Sequence, residues 1–224
     1  MVTELGTRVD PARHEIRVDS VPLPRQKRVY YALNKPVGVV STNRDPSGRP
    51  RVIDLVPSTP EQHLFAIGRL DLHSEGLILV TNDGELANRL THPRYGVPKT
   101  YRVLVAGVPP RDVLERLRRG VHFAEGMARV AHVRPIKQHQ QSTLLEVVLQ
   151  EGHNREIRRI LAQVGHKVLR LTRIAVGPVR LGKLAPGDFR RLTREEVEAL
   201  RRCCRKDRPS MARGFRGTTV QESS

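Results

Sequence analysis

Short apolar runs rich in β-branched residues constrain the fold of this chain more than any other feature of its sequence. They are separated by segments rich in Gly, Pro, Ser and charged residues. Runs bounded in this way are typical of β-strands. The sequence predicts strands at residues 29–40 (interrupted by Lys35-Pro36), 63–67, 77–81, 99–105, 142–149 and 168–174.

Helices are predicted between these strands at irregular intervals. The i, i+3, i+4, i+7 spacing of an amphipathic helix is shown by Ile157, Ile160, Leu161 and Val164. Asn82 is the predicted N-cap of an earlier helix, with Glu85 closing a capping box. Shorter helices are predicted at 112–119 and 195–202. Because strands outnumber helices and the two are mixed irregularly, we expect an α+β fold with a mixed, mainly antiparallel central sheet flanked by helices.

The charge of the chain favours a polyanionic partner. Its 224 residues include 40 Lys and Arg against 23 Asp and Glu, a formal net charge of +17 at pH 7. Such a surplus attracts nucleic acid, with an anionic membrane surface as the competing partner. The sequence contains neither the apolar run of about 18 residues that marks a membrane-spanning helix nor a signal peptide. We therefore expect no membrane partner.

The two cysteines, Cys203 and Cys204, are adjacent and lie in a polar segment. Adjacent cysteines make neither a disulfide framework nor a complete metal motif. We therefore expect a reduced, cytoplasmic protein, and a monomer because no obligate interface is evident in the sequence.

An acidic cluster stands out in this basic chain, in the segment GRLDLHSEGLILVTNDG at residues 68–84. Asp71 falls in a predicted loop between two buried strands, where a rigid scaffold can present a side chain. A solvated polar turn and a catalytic centre are both open interpretations. A metal site is disfavoured, because no second ligand cluster exists and Arg69 would repel a cation.

Two further elements have alternative interpretations. Arg155, Arg158 and Arg159 cluster within one turn of the predicted helix, either as a solvated face or as a surface that binds phosphates or orients a carboxylate. Tyr101, within KTYRV, is either a core residue or a ring that stacks on one extruded base. With aromatic residues at 4% and no Trp, the sequence offers no extended stacking platform for single strands.

Taken together, these motifs resemble a known family. GRLD with SEGL and TNDGELAN, then KTYRV, EGHNREIRR and LxRIxxG, resemble the pseudouridine synthases of ribosomal RNA, in the branch of small-subunit synthase A and large-subunit synthase B. The resemblance covers about residues 29–200 and implies the pseudouridine synthase catalytic fold. It also implies that uracil is detached from its ribose, rotated and rejoined through carbon 5, without a cofactor or a metal.

The resemblance assigns roles residue by residue. Asp71 matches the essential aspartate that attacks or deprotonates the ribose, through a covalent adduct or a glycal intermediate. Arg69 matches the arginine that holds the flipped nucleotide, and Tyr101 the tyrosine that packs against the target base. Arg158 matches the basic residue paired with the aspartate. The expected pocket-lining residues are Ile157 and Leu171.

The resemblance also suggests the domain organisation. Residues 1–28 are interpreted as the remnant of an N-terminal RNA-binding module, residues 29–202 as the catalytic domain, and residues 203–224 as a basic, disordered tail. Phosphate contacts are expected from the loop at 44–51 and the helix at 155–159.

A uridine in ribosomal RNA, on its own or in a pre-ribosomal particle, is the expected substrate. The form of EGHNREIRR favours the large subunit. The same chemistry on small-subunit RNA, and a non-catalytic RNA-binding ribosome-assembly factor, are the alternatives.

Overall fold

A computed structural model describes residues 6, 7, 9, 14–22, 26–59, 62–123, 126–150 and 155–204. The strands in chain order are β1 Arg17–Val18, β2 Val21–Pro22, β3 Tyr30–Lys35, β4 Phe65–Ile67, β5 Glu75–Thr81, β6 Lys99–Ala106, β7 Val121–Phe123, β8 Gly126–Ala128, β9 His132–Gln138, β10 Ser142–Leu149, β11 Val168–Val176, β12 Val179–Arg180 and β13 Phe189–Arg191. The helices are α1 Gly84–Thr91, α2 Arg111–Arg119, α3 Glu156–Gln163 and α4 Arg194–Cys203, with short 3-10 turns at Val52–Leu55 and Pro93–Tyr95. Within these residues, no helix is both long and apolar enough to cross a membrane.

A large sheet organises the described part of the chain. Its strands follow the order β13-β3-β5-β11-β6-β10-β9, with β12 added to β11 and β4 added to β5. Among the described strands of this sheet, β5 and β11 run parallel and the other pairs are antiparallel. The expected α+β class with a mixed, mainly antiparallel sheet is therefore confirmed.

Both faces of the sheet centre are buried, so alternate residues of one strand enter different cores. Leu33 and Ile78 contribute to the core that also holds the apolar residues of α2 and α3. Ala32, Leu77 and Leu79 point to the opposite core, against α1 and α4. This arrangement explains why β3 and β5 are apolar throughout rather than alternating.

The helix after β5 begins one residue later than the capping pattern predicts. Asp83 is the N-cap of α1 and accepts a hydrogen bond from the Leu86 amide at 3.1 Å. The side chain of Asn82, the predicted cap, instead accepts from the Val29 amide at 2.9 Å. The predicted capping box with Glu85 is therefore wrong, because the Asn82 side chain is engaged by the residue that directly precedes β3.

Several other boundaries differ from the prediction; the strand predicted at 29–40, for example, ends at Lys35, and the start of β5 and the end of α4 differ as follows. Glu75, expected in the loop, is the first residue of β5 and accepts a hydrogen bond from Thr172 on β11 at 2.6 Å. Cys203 ends α4, and the following Cys204 is 2% exposed within the second core, so neither cysteine lies in a polar tail. Residues 205–224, where the rest of the basic tail is expected, are outside the described residues, as is 151–154 (EGHN).

Candidate active site

The loop that carries Asp71 lies where two strands separate along one edge of β5. β11 pairs with the start of β5, at Glu75 and Gly76. β4 pairs with its end, where Ile67 lies opposite Leu79. The loop that connects β4 to β5, residues 68–74, therefore lies where β4 and β11 diverge from each other along β5. It begins at Gly68, whose φ of +71° favours glycine.

The backbone of this loop is held by hydrogen bonds at every carbonyl from residue 69 to residue 74. In that order the donors are Arg173 Nη1 (3.4 Å), Ser41 Oγ (3.0 Å), Ser74 N (3.0 Å), Gly38 N (3.0 Å), Arg158 Nη2 (3.1 Å) and Lys35 Nζ (2.7 Å). Five of these six donors come from parts of the fold outside the loop, so the loop is fixed by several elements.

The side chain of Asp71, unlike the loop backbone, is not held by hydrogen bonds to the described residues. Among the described residues, its carboxylate has no hydrogen-bond partner and no cation within 4.0 Å. Asp71 lines a cavity of about 300 Å³, at the small end of ligand pockets. A rigid backbone thus presents a carboxylate that is available to a substrate.

The cavity brings together six of the seven residues expected at the site. They are Arg69, Asp71, Tyr101, Arg155, Ile157 and Leu171. Tyr101 is 8% exposed on β6, and Ile157 is 4% exposed at the start of α3, so the cavity wall is continuous with the core. Residues up to about 100 positions apart in the sequence meet here because β5, β11 and β6 are neighbours in the sheet.

Arg158, the seventh residue, contacts the loop rather than the carboxylate. Its guanidinium donates to His73 O at 3.1 Å and to Val168 O at 3.3 Å. Burial and then the charge of Arg155 lower the pKa of Arg158, and the charge of Asp71 opposes this shift. Among the described residues, Arg158 and Asp71 form no direct ion pair. Arg158 instead acts on Asp71 through longer-range charge attraction and through its hydrogen bond to the backbone of the loop.

Two buried cations near Asp71 were not singled out from the sequence. Lys35 is 0% exposed and donates to Pro36 O at 2.9 Å and Ser74 O at 2.7 Å. Burial lowers the pKa of Lys35 to about 8, against the opposing charges of Asp71 and Glu75. Arg173, 2% exposed, also lines the cavity. A cation inside an apolar strand was the available signal for both.

Three arginines, Arg69, Arg155 and Arg173, make the cavity cationic. Lys99 and Glu156 also line it. Burial, followed by the charge of Arg173, lowers the pKa of Lys99, while Glu156 opposes the shift. Among the described residues, no group of three or more His, Cys, Asp or Glu side chains could hold a metal ion. Positive charge, an aromatic ring and one free carboxylate suit an anionic ligand that carries a flat ring.

The surface loop expected to contact phosphates is partly neutralised. Arg49 bonds Asp45 at 2.6 Å, and Arg51 bonds Asp54 at 2.6 Å. Arg44 is exposed and, within the described residues, forms no ion pair. Arg159 lies over the Phe123 ring, 4.6 Å from its centroid.

A solved structure shares this fold. The crystal structure of a pseudouridylate synthase superposes with a TM-score of 0.70 and 27% identity, over 89% of this chain and 85% of that one. The fold is therefore that of the pseudouridylate synthases, a class of isomerases.

Sequence comparison gives the family directly. The sequence profile described as RNA pseudouridylate synthase matches residues 29–163. An uncharacterised RNA pseudouridine synthase of Aquifex aeolicus is 41% identical over 89% of this chain and 80% of its own length. The ribosomal large subunit pseudouridine synthase B of Bacillus subtilis is 39% identical over 90% and 82%. The chain belongs to the RNA pseudouridylate synthase family.

Proposed function

We propose that this protein converts a uridine of ribosomal RNA to pseudouridine and that Asp71 carries the chemistry. The strongest support for this role is the contrast, within the described residues, between the hydrogen-bonded backbone of the loop and the unbonded carboxylate of Asp71. Every carbonyl from residue 69 to residue 74 has a donor, whereas the Asp71 carboxylate in the cavity has no partner among the described residues. Preorganised backbone around an available reactive group is what catalysis requires.

The remaining cavity residues fit the steps of the isomerisation. Asp71 attacks or deprotonates the ribose while the bond between C1′ and N1 breaks, by either the adduct or the glycal route. Uracil rotates and C5 bonds to C1′, as the Asp71–C1′ bond breaks in the adduct route or as Asp71 returns the proton to C2′ in the glycal route. The proton on C5 is then lost as N1 gains one. Tyr101 packs against the extruded base, Ile157 and Leu171 supply apolar walls, and Arg69 holds the flipped nucleotide.

Two of the cations that line the cavity have an electrostatic role in this scheme. Detached uracil retains the electron pair of the glycosidic bond and is therefore anionic. Lys99, which is half-buried, and Arg173, which is 2% exposed, line the cavity and supply positive charge there. Fixed charge opposite developing negative charge is an effective source of rate enhancement. Arg155 is exposed at the start of α3 and is suited to a flanking phosphate.

We infer that the target lies in the large ribosomal subunit. The Bacillus subtilis relative bears that name, as does one of Pseudomonas aeruginosa that is 37% identical over 89% of this chain and 53% of its own length. Action on ribosomal RNA agrees with the cytoplasmic location expected from the cysteines. The small-subunit target and the non-catalytic assembly factor are the alternatives.

The catalytic role is tested with Asp71→Asn. We expect pseudouridine formation on ribosomal RNA transcripts to fall on the order of 10³-fold or more, with the Kd for RNA within about twofold of wild type. Asp112→Asn, on the exposed start of α2, is the matched control and keeps full activity. Wild-type activity in Asp71→Asn would refute the assignment.

The target is tested by mapping pseudouridine in ribosomal RNA from cells with and without the gene. Loss of one site in the large-subunit RNA supports the proposal, and loss in the small-subunit RNA selects the first alternative. No change in either RNA favours the assembly factor.

A further inference from the structure

We propose that Ser41 and Arg173 are positioning residues for Asp71, an inference that rests on the function proposed above. The two side chains hold the backbone at Leu70 and Arg69, the two residues that precede the carboxylate. They come from different elements, one from the segment after β3 and the other from β11.

Ser41 pairs with Leu70 in both directions. Its hydroxyl donates to Leu70 O at 3.0 Å and accepts from Leu70 N at 3.2 Å. A single side chain thus satisfies both backbone groups of the residue next to Asp71, as a neighbouring strand would do. Because Leu70 itself is 7% exposed, water has little access to replace these bonds.

The Arg173 side chain forms hydrogen bonds in the gap between β4 and β11. Its Nε donates to Leu77 O at 2.7 Å, in the stretch of β5 between the residues paired with β11 and those paired with β4. Its Nη1 reaches Arg69 O at 3.4 Å, a longer contact. One planar guanidinium therefore connects β5 to the start of the loop, which a lysine ammonium cannot do with the same geometry.

The environment of Arg173 argues against a role in stability alone. The residue is 2% exposed, and among the described residues no carboxylate lies within ion-pair distance of it. A buried charge without an opposite charge is costly, and an apolar residue of similar volume is often at least as stable there. Its contact with the loop, besides its charge at the cavity, supplies a functional reason for a guanidinium at this position.

A fixed backbone at residues 69 and 70 fixes the direction of the Asp71 Cα–Cβ bond. Displacement of a reactive group by about 1 Å can cost roughly 10²-fold in rate. Loss of either contact should therefore lower kcat, whereas affinity for RNA depends on surface groups that the change leaves intact.

Ser41 permits a test that does not disturb the core. We expect Ser41→Ala to lower kcat by about 10- to 100-fold, with KM and Kd for ribosomal RNA within about twofold of wild type. Ser41→Thr keeps the hydroxyl and should retain most of kcat. Thr42→Ala is the matched control and should retain full kcat, because among the described residues Thr42 Oγ1 bonds only to the backbone of Arg44, donating to its carbonyl at 2.7 Å and accepting from its amide at 3.3 Å.

Arg173→Lys tests the second contact, with a readout that does not depend on activity. Hydrogen exchange at the amides of residues 68–74 should become faster in Arg173→Lys and Ser41→Ala, and stay unchanged in Thr42→Ala. Wild-type kcat together with wild-type exchange in both variants would overturn the inference while leaving the proposed function intact. If the wild-type protein forms no pseudouridine, the proposed function fails and the exchange data decide the positioning role.

Discussion

Gly76 and Arg173 lie opposite each other where β5 and β11 run parallel, and the space between them excludes any side chain at residue 76. A Cβ at Gly76 would lie 2.3 Å from the Arg173 carbonyl oxygen and 2.7 Å from its amide nitrogen. Gly76 also has a φ of +103°, which other residues rarely adopt. Strands β5 and β11, which both adjoin the Asp71 loop, therefore pair through a close contact that only glycine at residue 76 permits.

Gly76→Ala should destabilise the protein and open this junction. We expect a loss of roughly 2–4 kcal/mol in the free energy of unfolding, since both backbone strain and overlap with β11 contribute. Urea denaturation measures the change. Gly187→Ala is the control, because Gly187 has a similar φ of +89° but nothing within 4 Å of the added Cβ. Equal losses in the two variants would show that the overlap contributes nothing.

Lys35 should give the protein a stability that rises with pH above about 8. Burial lowers its pKa from 10.5 to about 8 in the folded state, so between these values the unfolded chain binds more protons. The destabilising contribution of the buried charge is full below pH 8 and is relieved as pH rises towards 10.5. Unfolding free energies of wild type and Lys35→Met, measured from pH 7 to 10, should differ in slope. Parallel curves would contradict the shift.

Asp83 should stabilise the fold through its charge as well as its capping bond. Burial alone raises its pKa, but the hydrogen bonds from Tyr30 and Leu86 and the nearby Arg28 and Arg201 lower it overall. The stabilisation is therefore present above the unfolded pKa near 3.8 and is lost as pH falls through the folded value.

Two substitutions separate these contributions at neutral pH. Asp83→Ala should cost roughly 2–4 kcal/mol, and Asp83→Asn less, because asparagine also caps helices. The difference between wild type and Asp83→Asn in thermal or urea unfolding should shrink as the pH is lowered towards 3. A constant difference would mean that the charge has no part.

Arg44 should contribute to RNA affinity more than its paired neighbours do. It is exposed without an ion pair among the described residues, whereas Arg49 is bonded to Asp45 at 2.6 Å. Each lost phosphate contact should make the slope of log K against log[salt] less steep by about 0.7 for single-stranded RNA.

Titrations of Arg44→Ala at several salt concentrations measure this change. The control removes a neutral pair, Asp45→Asn with Arg49→Gln, and should keep the wild-type slope. A slope unchanged in Arg44→Ala would exclude Arg44 from the RNA interface.

Local sequence periodicity was sufficient to predict the strands and helices that bury one or both of their faces. Strand β10, at residues 142–149, has its predicted bounds, and Ile157, Ile160 and Leu161 are buried on α3 as the helical spacing predicts. Strand β9, by contrast, was not predicted. It is the end strand of the sheet, contains Pro135 and exposes most of its residues, so its sequence lacks the apolar pattern that marks a buried strand.

By itself, then, the sequence determined which apolar segments become the buried strands and helices, the cationic character of the chain, and the motif that singles out Asp71. It did so because periodicity, charge and a short motif are properties of neighbouring residues. Only the tertiary structure decided which groups hold that motif. Arg173 reaches Arg69 from 104 residues away, and Lys35 reaches Ser74 from 39 residues away. Those contacts depend on the order of the strands in the sheet, which free energy summed over the whole chain selects and no local pattern encodes.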